Sequence, residues 1–206
     1  MKDLSDSIYE WLYQRHGHGP SLQAVGIFLG LLLILSHGFA LLRQHKLLPA
    51  LTGVPRSQNI GTLFLTISFL WAFMVATSMD LGEFQQVRWL AQFALPVFYV
   101  GTLFIANDYL GARSIGIFML LAACPVLDAA MLKSPESRLL LSILAYGWII
   151  AGLFWVGMPF TMRDQIAWLQ KKPSRYRIAC LAGIAYGVLV LAAAFLYYAP
   201  AAAPAV

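Results

Sequence analysis

The sequence predicts an all-α integral membrane protein: a bundle of six membrane-spanning helices, with a short N-terminal interfacial helix and both termini on the non-cytoplasmic side. Three observations carry that reading. Hydrophobic residues make up 60% of the 206 positions and charged residues only 11%, against roughly 45–50% and about 25% in soluble domains. A chain of that composition has more apolar surface than its own core can hide, so lipid must cover the rest. Six stretches with little or no charge are long enough to cross about 30 Å of hydrocarbon. The 14 basic residues are divided unequally between alternate connections, which sets the orientation.

Residues 1–20 are the interfacial segment. Leu4, Ile8, Trp11 and Leu12 recur at helical spacing opposite charged positions, the pattern of a short helix lying on the membrane surface. Asp3, Asp6 and Glu10 interrupt this start, which is unlike a cleavable signal peptide.

A single transmembrane domain, 21–198, follows, with spans at 21–42, 60–79, 89–107, 112–132, 139–160 and 178–198. Each must be helical, because an isolated strand would leave backbone polar groups unpaired in lipid. The fourth span carries Arg113 and Asp128; a five-span reading without it would move the C-terminus to the opposite side. Trp89, Tyr109, Trp168, Tyr176, Tyr197 and Tyr198 stand at span ends, where amphipathic rings favour the headgroup region. The Ala/Pro tail at 199–206 is low-complexity and expected to be loose.

The connections after spans one, three and five hold Arg43, Lys46, Arg56, Arg113, Arg163, Lys171, Lys172, Arg175 and Arg177. The other side holds Lys2, Arg15, Arg88, Lys133 and Arg138. Nine against five places the first group in the cytoplasm. In the last cytoplasmic loop, 161–164 has the form of a helix N-cap, and Lys171, Lys172, Arg175 and Arg177 are expected to contact anionic lipid headgroups. The net charge of +5 therefore points to lipid and not to nucleic acid. Compactness and short loops favour the bacterial inner membrane. The two cysteines, Cys124 and Cys180, fall at depths offset on the order of 13 Å at 1.5 Å per residue, too far to pair.

Small residues at helical spacing, Gly26 and Gly30 in span one and Gly183 and Gly187 in span six, let helix backbones approach closely within the bundle or against another subunit. Pro96 and Pro125 lie inside spans three and four, and Gly147, Gly152, Gly157 and Pro159 loosen span five. Asp128, an acid about one turn inside span four, needs a partner, water or a proton. It either bonds Lys133 or Arg138, or joins Asp80 and Glu83 in an outer vestibule that attracts a cation or relays a proton. His37 is the one histidine inside a span; it bonds a neighbouring helix or ligates a cofactor. His16 and His18 lack a third metal ligand. Asp108 beside Arg113 and Asp164 beside Arg163 have the spacing of local pairs.

No Gly-x-Ser-x-Gly, His-Glu-x-x-His or Walker loop occurs. Asp108, Ala112 and Arg113 echo part of the CDP-alcohol phosphotransferase pattern, but its Asp-Gly pair and later paired aspartates are missing, leaving too few ligands for divalent metals. The reading that follows is a non-catalytic membrane subunit or scaffold, associated with other membrane subunits and with no cofactor named. Its alternatives are a small transporter or channel using Asp128, and a redox subunit using His37.

Overall fold

The computed structural model describes residues 2–13, 19–105, 108–131 and 136–198, and every regular element among them is helical. In chain order these are α1 (Lys2–Leu12), α2 (Leu22–Leu42), α3 (Gln44–Leu51), α4 (Gln58–Ser78), α5 (Arg88–Ile105), α6 (Leu110–Ala130), α7 (Leu139–Gly157), α8 (Phe160–Gln170) and α9 (Pro173–Leu196). Single 3-10 segments at Val54–Arg56, Gly82–Val87 and Glu136–Arg138 lead into α4, α5 and α7. Six of these helices, the third and fifth counted with their 3-10 segments, are long and apolar enough to cross a membrane. The protein is thus a multi-pass integral membrane protein. Below, the near end of the bundle is where α2 begins, and the far end is where it finishes.

Local chemistry sets the boundaries. Ser21 and Ser57 accept from the backbone N–H of Ala24 and Ile60 and cap α2 and α4, so the second span starts two residues before the apolar run does. Pro173 opens α9 at a position where its missing N–H costs nothing. The expected fifth span, 139–160, is cut at Gly157, and a new helix starts at Phe160 after Pro159. That restart displaces the N-cap expected at 161–164: Pro159 occupies the cap, and the Thr161 hydroxyl donates back to the Met158 carbonyl at 2.7 Å. Helix α3 was not legible as an element, because Pro49 lies inside it.

Packing is organised around α6. It lies antiparallel to α7, where Gly116 and Gly152 face each other: a Cβ on either would stand 2.9 or 2.8 Å from the other's carbonyl oxygen. It lies parallel to α4, whose Gly61 meets Leu110 and Gly111. The second unit is the antiparallel pair α2 and α9, which touch along their length. A Cβ on Gly30 would stand 3.0 Å from the Gly187 carbonyl oxygen, and one on Gly26 would meet Ala194 and Tyr198. Without a hydrophobic drive between helices in lipid, such close backbone approach is how helices gain contact. The two units join at the near end in a core that includes Leu29, Ala123, Val126, Leu141, Ala145 and Val190. Two tyrosines of α9 and one just after it add hydrogen bonds: the hydroxyls of Tyr176, Tyr186 and Tyr198 donate to the carbonyls of Ala40, Leu140 and Ser137.

Helix α1 runs antiparallel to the last two turns of α4. The Ser78 hydroxyl donates to Ser5 at 3.4 Å and Trp71 Nε1 donates to the Tyr13 hydroxyl at 3.1 Å, while Tyr9 is buried. Helix α5 leans on α4 and has no buried residue.

Candidate functional site

Two places in the fold gather unusual side chains. The first is a cavity of about 580 Å³ at the near end. Helices α2 and α4 both rest on α6 without packing on each other to any extent, and the gap between them is the cavity. Phe28 and Leu32 of α2 form one wall and Trp71 of α4 the other; Phe118, Ala122 and Pro125 of α6 form the floor, Trp148 of α7 closes the back, and Trp11 and Leu12 of α1 cover the outer end. The lining includes no charged side chain. Its size falls within the roughly 300–1,000 Å³ of small-molecule sites. Beside it, Tyr13 accepts from the Trp71 indole N–H. Burial pushes its phenol up to about 12, and Cys124 and Asp128 nearby act in the same direction.

The second place is at the far end, on Tyr109. This residue stands at φ 60°, in the left-handed region, immediately before α6. It is the one non-glycine residue with positive φ among the described residues, and a bulky side chain is held there only when its surroundings determine it. Its surroundings do so: the hydroxyl accepts from Arg56 Nη2 at 2.8 Å and from Arg163 Nη1 at 3.1 Å, and the Arg56 guanidinium also lies 4.7 Å from the ring centroid. The hydrogen bond from Arg56 lowers the phenol's pKa, assisted by Arg163. Arg163 in turn donates through Nε and Nη2 to one Asp164 oxygen, which holds its own pKa up. Charge-assisted bonds of this kind join three separate connections at one point. The Arg163–Asp164 spacing was visible in the sequence; the convergence of Arg56 on Tyr109, 53 residues away, was not.

His37 lies flat against α9. Its Nδ1 is 2.9 Å from the Leu33 carbonyl, so Nδ1 carries the proton. A Cβ at Gly183 would come within 2.3 Å of its ring; the glycine and the imidazole occupy one another's space. Gly26, Gly30 and Gly187 lie in the same α2–α9 contact. Asp128 is half-buried in the last turn of α6 and is not free of interactions. Asp80 and Glu83 are exposed, and an Asp80 oxygen accepts from the Gly82 N–H at 2.9 Å in a local turn. No group of three histidine, cysteine or acidic residues capable of holding a metal occurs among the described residues. Arg175 stacks on Trp168, 4.6 Å from the ring centroid; Arg177 donates to Gln44 at 3.1 Å; Lys171 and Lys172 are exposed. Asp108 and Arg113 form no ion pair, whereas Arg163 and Asp164 do, at 2.8 Å. Both cysteines are free. His16, His18, Lys133 and the tail 199–206 lie outside the described residues.

Of the sequence-derived glycines, Gly152 packs tightly while Gly147 and Gly157 face open space. Gly61, Gly111 and Gly116 escaped attention because a single glycine has no period. Comparisons with protein-family models, curated proteins and solved structures find no match.

Proposed function

We propose that this protein is a non-catalytic integral membrane subunit that holds other membrane proteins in a larger assembly, with α5 as its docking helix. The observation that supports this is the asymmetry of the bundle. Every other span has buried residues, but α5 has none. It presents Phe93, Val97, Phe98, Phe104 and Ile105 outward and rests on one neighbour. A span that gains so little from its own bundle is a natural place for a partner's helices to pack. Crosslinking from a photoreactive residue at Phe98 or Phe104, in the native membrane, tests it. A discrete membrane protein captured from α5, and not from Val188 on α9, is the expected result. Adducts to lipid alone, together with a lone monomer by native mass spectrometry, would refute it.

The orientation proposed with this function puts the far end in the cytoplasm of a bacterial inner membrane, with both termini outside and α1 at the outer interface. Nine of the basic residues cluster on that side, where Lys171, Lys172 and Arg177 are exposed to anionic headgroups at about 1 kcal/mol per charge. The transporter alternative has less support. A path for an ion or polar solute needs polar lining, and the cavity described above, near Asp128, is walled by hydrocarbon and indole.

A further inference from the structure

We propose that the cavity between α2 and α4 is a binding site for the hydrocarbon tail of a bilayer lipid, which enters sideways from the membrane and lies against Phe118 and Ala122 beneath the cover of α1. Three observations define the occupant. First, the lining is apolar throughout and carries no charged side chain. Water gains no partners in such a space, and leaving it empty forfeits dispersion contacts along every wall. Second, the walls belong to membrane-spanning helices, with Phe28 six and Trp71 seven residues from the near-end termini of α2 and α4. At 1.5 Å per residue this is about 10 Å inside the span, where the surrounding medium is acyl chain. Third, the cavity is not sealed toward the bilayer. Helices α2 and α4 do not pack against each other, and Phe28 of the lining is 65% exposed.

The outer end differs from the rest. Trp11 and Leu12 of α1 line it, and on its rim stand the Tyr13 hydroxyl, which accepts from the Trp71 indole N–H, and, within electrostatic reach of Tyr13, Asp128. An amphiphile with its tail in the cavity would bring its polar end to this rim. The arrangement has an apolar slot with hydrogen-bonding groups beside it, matching one lipid molecule whose tail enters the slot. The indole rings of Trp71 and Trp148 and the ring of Phe118 supply rigid walls that need little ordering on binding.

The test uses the whole protein reconstituted in vesicles of phosphatidylcholine, a fraction of which carries a photoreactive diazirine at the end of one acyl chain. Attachment sites are mapped by peptide mass spectrometry. The expected result is labelling at Phe118, Ala122 or Trp71 in addition to Phe104, which faces outward on α5. In Ala122→Trp, the new ring displaces at least two methylenes of the tail, and labelling of Phe118 and Trp71 should fall about tenfold while Phe104 is unchanged. Should that variant fail to fold, Ala24→Phe narrows the same cavity from α2. Labelling of Phe104 with none at the cavity residues, as when a partner helix or a second copy fills the slot, would overturn the proposal. So would cavity labelling that persists unchanged in a folded filled variant.

Discussion

At the scale of single residues, the tightest constraint is backbone against backbone. A Cβ on Gly111 would stand 2.0 Å from the Val54 carbonyl oxygen, and no rotamer can relieve that clash. Gly111→Ala is expected to destabilise the protein by about 3 kcal/mol or more, the upper end of overpacking costs. Gly101→Ala, whose Cβ would meet nothing, should be neutral or stabilising by about 0.5–1 kcal/mol. Thermal unfolding of the two variants in one detergent separates them; equal midpoints would contradict the packing described. Tyr109 gives a second residue-scale prediction. Its phenol is shifted down, first by the Arg56 hydrogen bond, so alkaline titration followed by phenolate absorbance should show one tyrosine ionising ahead of the rest. Arg56→Gln should move that tyrosine upward, and Tyr109→Phe should abolish it. Because the folded pKa is depressed, the linked stabilisation is present above the unfolded value near 10 and disappears as pH falls through the folded value.

At the scale of elements, helix ends decide more than helix middles. The end of α4 is closed by a side chain from the next helix. Arg88 opens α5, yet its guanidinium donates to the Thr77 and Met79 carbonyls, where α4 exposes its unpaired acceptors and negative dipole end. Arg88→Met keeps the aliphatic stem and removes the donors, and should cost about 1–3 kcal/mol; Arg88→Lys, with one ammonium in place of two forks, should fall between. A Met variant as stable as the parent would mean those carbonyls are satisfied some other way. The same logic explains the elements that the sequence left unread. Periodicity locates an apolar stretch but is blind to which residue ends it, so the break between α7 and α8 depended on Gly157 and Pro159, two residues inside an otherwise continuous apolar run. Helix α3 has only eight residues, none buried, and is held by its contacts with neighbouring segments rather than by amphipathic pattern.

At the scale of the whole molecule, the bundle divides into the α2–α9 pair and the group formed by α4 to α7, joined through the near-end core. The join is apolar at one end, while at the other Arg56, Tyr109 and Arg163 tie the connections. The proposed orientation predicts how this molecule sits in its membrane. A cysteine placed at Ser174, beside the far-end cluster, should be shielded from a membrane-impermeant maleimide in intact cells, and one placed at Gln85 should be labelled. These substitutions belong in a Cys124→Ser, Cys180→Ser background, since both native thiols are free. The reverse labelling pattern would invert the topology and move the termini inside.

The sequence by itself determined the class of molecule and its six spans, because composition and stretch length follow from the cost of putting backbone and charge in hydrocarbon, which no packing detail can override. It also singled out Gly26, Gly30, Gly183 and Gly187, since two glycines a turn apart form a local pattern. Only the tertiary structure decided which helices neighbour one another. In lipid every apolar helix face is acceptable to the solvent, so hydrophobicity carries no information about pairing. For that reason the pairing of Gly116 with Gly152, the slot between α2 and α4, and the meeting of Arg56 with Arg163 on Tyr109 could not be read in advance. Each joins residues far apart in the chain, and each exists only because α6 draws its neighbours to one line of contact.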